Sequence, residues 1–396
     1  MPRMDASRAE SVRLMIVAGE ASGDAHAAAL VRALRARAPD VPFEFFGATG
    51  RELRAAGVES VVEIDQLAIV GLVEIGRALP RFWRAFRALT RAAVARRPAA
   101  VVLVDWPDFN LKLARALKRR GLRVIYYISP QLWAWRAHRV RQVRRDVDLL
   151  LAILPFEPDW YARRGVAHVE FVGHPLTGTV AARYDRAEFC RRNNLDAARP
   201  LVALLPGSRH KELTRILPPM LAAARLLTRA RPDAQFVVPL APTRTRAEVA
   251  PLVAAFETED GARALTLRVV EGATREALAA ADAAAVASGT ATLETALLCT
   301  PLVVVYKESA LNWHTLGRLI STEHFGLVNL VAGERLAPEL MQDDFTPARL
   351  AAELSRLLDA EHNATMRARL RTVAARLGAG GASARAADAV LRALRG

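Results

Sequence analysis

Four short segments of this 396-residue chain carry the residue types that bind phosphate and move protons. The first is Ala18-Gly19-Glu20-Ala21-Ser22-Gly23-Asp24. Gly19 and Gly23 allow a tight turn and the close approach of a ligand. Asp24 can cap the helix that follows, whose N-terminus favours anions. A plain strand-to-helix turn would explain Asp24 but not Glu20, which is expected to face a ligand. The second segment is Val104-Asp105-Trp106-Pro107-Asp108-Phe109-Asn110. Asp105 closes a wholly apolar run, where an ionised carboxylate needs a partner or a purpose. Structural hydrogen bonding is one purpose. Taking the proton from a sugar hydroxyl as it attacks is another. Asp108 reads as the cap of the next helix, with Asn110 in its first turn.

The third segment is Pro206-Gly207-Ser208-Arg209, between an apolar run and a long helical pattern. Gly207, Ser208 and a helix N-terminus suit a phosphate, and Arg209 can neutralise it. A surface loop is the alternative. The fourth is Ser288-Gly289-Thr290-Ala291-Thr292-Leu293-Glu294-Thr295, where small hydroxyl residues again suit phosphate. Glu294 can accept both hydroxyls of a ribose, or close a capping box with Thr290 or Thr292. Two phosphate-compatible loops and a carboxylate describe a nucleoside diphosphate site. Asp105 with the acidic glycine loop describes an acceptor site. Together they point to a glycosyltransferase. No G-x-G-x-x-G fingerprint and no metal-ligand spacing is present, so neither a cofactor nor a metal is expected. Asp343-Asp344 reads as solvated surface.

The elements that must hold these segments form two series. Strands are expected at 13–18, 43–46, 100–104, 123–127, 149–153 and 169–172, with helices near 24–38, 77–97, 109–120 and 136–145. The pattern restarts with strands at 201–205, 235–238, 265–270, 283–286 and 302–305 and helices near 211–230, 245–257, 274–280 and 291–298. Strands alternating with helices imply βαβ units and parallel sheets. The fold class is therefore α/β, with two Rossmann-like domains, 1–180 and 181–396, facing each other across a cleft. Such sheets bind ligands beyond the carboxyl ends of their strands. The polar stretch 174–200 reads as the junction. The helical last fifty residues either fold back on the first domain or exchange with a partner subunit of a homodimer.

The formal charge of +15 rests almost wholly on arginine, because lysine occurs only at Lys112, Lys118, Lys211 and Lys307. Genomic base composition explains an Arg- and Ala-rich chain, and so does an anionic membrane or phosphate-bearing substrate. Nucleic acid is disfavoured, because there is no zinc-finger spacing, RNA-binding aromatic motif or basic tail. Cys190 and Cys299 lack a metal-ligand pattern and fit a reducing cytoplasm. No signal-peptide stretch precedes the first strand, and no run long enough to span a bilayer occurs.

The segments resemble the lipid-A-disaccharide synthase family over most of the chain. The likeness is carried by AGEASGD (18–24), VGLVEI (70–75), DWPDFN (105–110), ISPQLWAWR (128–136), LPFEPDWY (154–161), VGHPL (172–176), LLPGSRHKE (204–212), ASGTATLE (287–294) and LVNLVAG (327–333). The resemblance implies the GT-B architecture and an inverting transfer. UDP-2,3-diacylglucosamine would be the donor and 2,3-diacylglucosamine 1-phosphate (lipid X) the acceptor, giving a β-1,6-linked disaccharide and UDP. On that basis Asp105 is the base for the acceptor 6-hydroxyl, with Glu20 lining the cleft. Ser22, Gly23 and Asp24 belong to the acceptor side. Ser208, Arg209 and Ser288–Thr292 hold the diphosphate, Glu294 the ribose, and Asn329 lines the donor pocket. Ala21, Trp106 and Gln131 depart from the usual pattern, and Trp106 bears on the shape of the acceptor pocket.

Acylated substrates imply a cytoplasmic enzyme attached peripherally to the anionic inner-membrane surface. The apolar stretch 67–76 and the following helix suit that role. Arg77, Arg81, Arg84, Arg87 and Arg91 share one arc, and Leu79, Phe82, Trp83, Phe86 and Leu89 the other, as in an interfacial helix. An ordinary core-facing helix shows the same pattern. Competing readings are a UDP-GlcNAc 2-epimerase, a muramyl-type N-acetylglucosaminyltransferase and a non-catalytic binder of anionic ligands.

Overall fold

The computed structural model describes residues 11–64, 75–258, 265–309 and 322–395. The chain divides into two compact units: Met1–Pro175 with Gly380–Gly396, and Leu176–Ala379. Most of the apolar stretch 67–76 and of the VGLVEI segment (70–75) lies outside the described residues.

Unit 1 holds a seven-stranded parallel sheet. Its strands are β1 (Val12–Val17), β2 (Phe43–Thr49), β3 (Glu59–Glu63), β4 (Ala100–Val104), β5 (Val124–Tyr127), β6 (Leu149–Ala152) and β7 (Val169–Phe171), in the order β3-β2-β1-β4-β5-β6-β7. Side chains alternate between two cores, as the pleat requires. Leu14, Ile16, Val102, Val104 and Tyr127 face the helix Ala21–Arg37. Met15, Val17, Val101, Leu103 and Tyr126 face Leu89, Ala93, Leu113 and Leu117 of the helices Ile75–Arg96 and Pro107–Lys118. Every residue of β4 is buried, as expected of a parallel strand covered on both faces.

Two expectations about domain limits change. The units part at Pro175/Leu176 rather than at residue 180. The helix Ala382–Arg395, assigned above to the second domain, belongs to unit 1. Its Ala386, Ala387, Ala389 and Val390 are buried with Ala27, Ala28, Leu30 and Val31, where small side chains let two helices approach closely.

Unit 2 holds β8 (Leu201–Leu205), β9 (Gln235–Leu240), β10 (Leu267–Glu271), β11 (Ala283–Ala287), β12 (Leu302–Tyr306) and β13 (Glu339–Met341), in the order β10-β9-β8-β11-β12-β13. The long helix His210–Ala230 buries Leu213, Ile216, Leu217, Met220, Leu221 and Leu227 against this sheet. The supposed junction contains a helix, Arg186–Arg192, begun by Asp185, whose carboxylate accepts from the Glu188 amide at 2.9 Å. The expectations also missed β3 and β13, which are short and carry glutamates. No helix among the described residues is long and apolar enough to cross a membrane.

The strand orders fix where chemistry can sit. In unit 1 the winding reverses between β1 and β4, and in unit 2 between β8 and β11. Connections then leave in opposite directions and open a crevice beyond the strand ends. The segments 18–24 and 105–110 flank the first switch point, and 206–209 and 288–294 flank the second.

Candidate active site

At the unit 1 switch point the chain makes an unusual turn. Asp105 and Trp106 both have φ of 51°, in the left-handed region that side chains with a Cβ disfavour. The Trp106 ring stacks on Phe109, with centroids 4.1 Å apart. Gly19 packs against the same indole, where a methyl group would overlap it. This close approach is what Gly19 provides. Gly23 is buried, which brings the start of the helix Ala21–Arg37 to the end of β4. Glu20 occupies the cap position of that helix without a side-chain capping bond, and it is exposed. Burial pushes the Asp105 carboxyl above the usual carboxylate range, and the nearby negative Glu20 adds to the rise. Two carboxylates thus share this edge, one half-buried and one in solvent.

Asp24 has a different task from the one expected. It is not the cap of its own helix, which starts at Ala21. Its buried carboxylate accepts from the amides of Gly50, Glu52 and Leu53 at 2.7, 2.7 and 3.3 Å. It therefore caps the helix Arg51–Ala55, far away in sequence, and is withdrawn from any ligand. Ser22 is exposed at the same helix start. Asp108 is engaged by Arg136 and Arg139 at 2.9 and 2.6 Å, which ties the segment 128–139 to the turn. That segment is anchored from below. Trp133 donates its indole N–H to the fully buried Glu157 at 3.1 Å, and the Tyr161 hydroxyl donates to the Pro130 carbonyl at 2.8 Å. Glu157 also accepts the Ile153 and Leu154 amides. The LPFEPDWY and ISPQLWAWR segments are therefore one supporting structure.

At the unit 2 switch point a cavity of about 770 Å³ opens. It is lined by Gly207, Ser208, Arg209, Ser288, Gly289, Thr290, Ala291 and Glu294, which the sequence singled out. It is also lined by Arg183, Pro239–Pro242, Gly272, Thr274, Arg275 and Glu276, which the sequence reading missed. The rule that ligands gather at strand carboxyl ends would have found the segments after β9 and β10. Arg183 reaches the site by packing: it donates to Glu276 at 2.6 Å and to the Gly272 carbonyl at 2.7 Å.

The two loops of the cavity differ in what they leave open. The Ser208 and Arg209 amides already donate to the Glu212 carboxylate at 2.9 and 3.1 Å, and Arg209 pairs with the same group at 3.2 Å. Gly207, at φ 114°, permits this, since a side chain there would overlap Glu212. In the other loop the amides of Gly289, Thr290 and Ala291 have no hydrogen-bond partner among the described residues. The Ser288 hydroxyl is spent on the Phe325 carbonyl and the Thr292 hydroxyl on that of Gly289. Glu294 makes no capping box; no side chain caps that helix. Its carboxylate lies 3.5 Å from Arg275, which also donates to the Thr179 carbonyl at 2.7 Å. Burial raises the Glu294 carboxyl above its ordinary value, with Arg275 opposing the rise.

Asn329 falls outside the cavity lining. It is wholly buried, with its amide bonded to Ala337 on both sides and to Glu339, each at 2.8 Å. It braces the strand β13, so the expectation that it lines the donor pocket is not met by its side chain. Phe82 and Phe86 are half-buried and join Trp106 and Phe109 in one aromatic cluster, with centroids 5.9–6.4 Å apart. Leu89 is core. Trp83 alone of these remains mostly exposed, at 56%, stacked on Phe86 and covered by Arg87.

Two parallel α/β units, each with polar groups gathered at its switch point, have the GT-B architecture of nucleotide-sugar glycosyltransferases and their structural relatives. The fold resembles that of a UDP-N-acetylglucosamine 2-epimerase from Listeria monocytogenes (TM-score 0.63, 14% identity, 97% of this chain and 96% of that one). It also resembles the calicheamicin glycosyltransferase CalG4 (TM-score 0.58, 17% identity, 97% and 98%). The sequence narrows the class further. Residues 14–391 match the family described as lipid-A-disaccharide synthetase. Lipid-A-disaccharide synthases from Trichlorobacter lovleyi and Anaeromyxobacter dehalogenans are 44% and 46% identical, over 96% and 97% of this chain and 97% and 98% of theirs. The chain belongs to the lipid-A-disaccharide synthase family, whose members are glycosyltransferases that form the lipid A disaccharide.

Proposed function

We propose that unit 2 binds UDP-2,3-diacylglucosamine in the cavity beside β8 and β11, and that Asp105 is the general base for 2,3-diacylglucosamine 1-phosphate. The acceptor 6-hydroxyl oxygen attacks the anomeric carbon of the donor as its proton passes to Asp105. The bond from that carbon to the diphosphate breaks, UDP leaves with the bonding electrons, and the configuration inverts to a β-1,6 linkage. The observation that carries this reading is the half-buried Asp105 carboxyl, held in a left-handed turn at a switch point beside Glu20. Its raised proton affinity makes it a better base than an ordinary aspartate.

The diphosphate charge that grows as UDP departs is met by the open amides of Gly289, Thr290 and Ala291 and by Arg209 and Arg275. A phosphate would compete with Glu212 for Arg209. Glu294 then receives the ribose hydroxyls. The acylated substrates bring the enzyme to a membrane surface, where exposed Trp83 with Arg81, Arg84, Arg87 and Arg91 suits the interface. A coupled UDP-release assay with both acylated substrates tests the main reading: Asp105→Ala should abolish most turnover, and a wild-type rate would remove Asp105 as base. Trp83→Ser should weaken binding to anionic liposomes; unchanged binding would remove Trp83 from the membrane contact.

A further inference from the structure

We infer that Tyr126 and Asn110 are positioning residues for Asp105, which they hold in the left-handed turn that aims its carboxylate. The inference rests on Asp105 being the base. A strand residue followed by two left-handed residues would relax to ordinary backbone unless its surroundings forbade it. Here both peptide groups of Asp105 are pinned. Its N–H donates to the Tyr127 carbonyl at 3.0 Å, continuing the β4–β5 ladder. Its carbonyl oxygen receives the Tyr126 hydroxyl at 2.6 Å and the Asn110 amide at 2.8 Å. With both ends fixed, the direction of the Cα–Cβ bond is fixed too. The next residue, Trp106, is packed against both Phe109 and Gly19, which limits movement of the turn at that end.

Neither side chain is placed as a packing requirement would place it. Tyr126 is fully buried among apolar residues, where phenylalanine would fill the same space, and the hydrogen bond its hydroxyl makes is to Asp105. Burial raises its phenol well above the usual value, so it stays a donor at every working pH. Asn110 turns its nitrogen to the carbonyls of Asp105 and Val104 and leaves its own oxygen buried without a partner among the described residues. The flipped amide would set oxygen against two carbonyls, so the orientation is determined. A buried acceptor left unsatisfied is unfavourable, and it marks a residue kept for the group it holds.

The test compares Tyr126→Phe, Asn110→Ala and Asp105→Asn in full-length protein, with thermal melts and UDP affinity as controls. Tyr126→Phe should keep its fold, its UDP affinity and its donor KM. Its kcat should fall roughly tenfold, as a misdirected reacting group predicts. The acid limb of its pH–rate profile should also move to lower pH, because a loosened Asp105 gains water and loses its raised proton affinity. Asn110→Ala should move both readouts the same way and serves if Tyr126→Phe does not fold. A folded variant with a lower melting temperature but wild-type kcat and an unmoved acid limb would overturn the inference, because that is what a purely structural role gives. Asp105→Asn separates the two levels. If it turns over normally, the base reading fails and this inference with it. If it is inactive while the Tyr126 and Asn110 variants behave as wild type, only the positioning role fails.

Discussion

The two switch points solve opposite problems with the same topology. At β8/β11 the residues with positive φ are glycines, Gly207 and Gly289, and three amides of one loop stand open at a cavity. At β1/β4 the left-handed residues are an aspartate and a tryptophan, and both peptide groups of the aspartate are bonded. A diphosphate is recognised by backbone, so that loop must be bare and flexible in φ at little cost. A proton acceptor is a side chain, and side chains are aimed only by constraining the backbone beneath them. Strain therefore falls on the unit that carries the proposed base, and permissive residues on the unit proposed to bind the nucleotide.

The sharpest way to break this contrast is a pair of substitutions measured together. Asp105→Asn should lower kcat by roughly 10²–10⁴-fold and leave UDP affinity unchanged. Gly289→Val places a side chain in the cavity loop at a φ of 152°. It should weaken UDP binding by roughly ten- to a hundredfold and leave the pH–rate profile in place. Isothermal titration with UDP and steady-state rates read both, and crossed effects would deny the division of labour. A smaller effect is expected at Asp24, whose carboxylate holds three amides away from either site. Asp24→Ala should cost about 2 kcal/mol of stability in a denaturant melt, with the activity of folded enzyme preserved.

The smallest expected effect concerns buried titrating groups in unit 1. Burial raises Glu157 from its ordinary 4.5 to about 7. Its contribution to stability is thus complete below about 4.5 and is lost as pH rises through about 7. Burial lowers His174 from 6.5 to about 4, with His26 adding to the fall. Its contribution is complete above about 6.5 and is lost as pH falls toward about 4. The two oppose each other across mildly acidic pH. Glu157→Gln leaves His174 alone, so the melting temperature should drop more steeply from pH 7 to pH 5 than in wild type. A parallel or shallower slope would contradict the assignment.

The sheet strands were legible because β4, β8 and β11 are continuous apolar runs, which only a doubly covered parallel strand explains. The switch-point segments were legible because strand-to-helix loops concentrate ligand contacts. Local signals failed where a side chain answers a distant element. Asp24 looks like a cap in its own sequence, but the amides it holds lie more than twenty residues on. Thr290 and Thr292 lie near, but not at, the capping-box spacing from Glu294, and in the structure Glu294 faces the cavity while Thr292 bonds Gly289. Arg183 and Tyr126 gave no signal, because their roles arise from packing between segments remote in sequence. The left-handed turn at Asp105 is equally invisible from composition, since nothing in Val-Asp-Trp-Pro asks for it.

The return of the helix Ala382–Arg395 to unit 1 has a consequence for biosynthesis. Unit 2 is one uninterrupted stretch of chain, whereas unit 1 is assembled from two stretches on either side of it. During translation unit 2 can therefore complete its core while the first sheet still shows the apolar surface around Ala27, Leu30 and Val31. The half that carries the proposed base is begun first and sealed last. Synthesis halted anywhere between the two units' final residues would release a folded second unit tethered to an unfinished first one whose apolar surface is still uncovered.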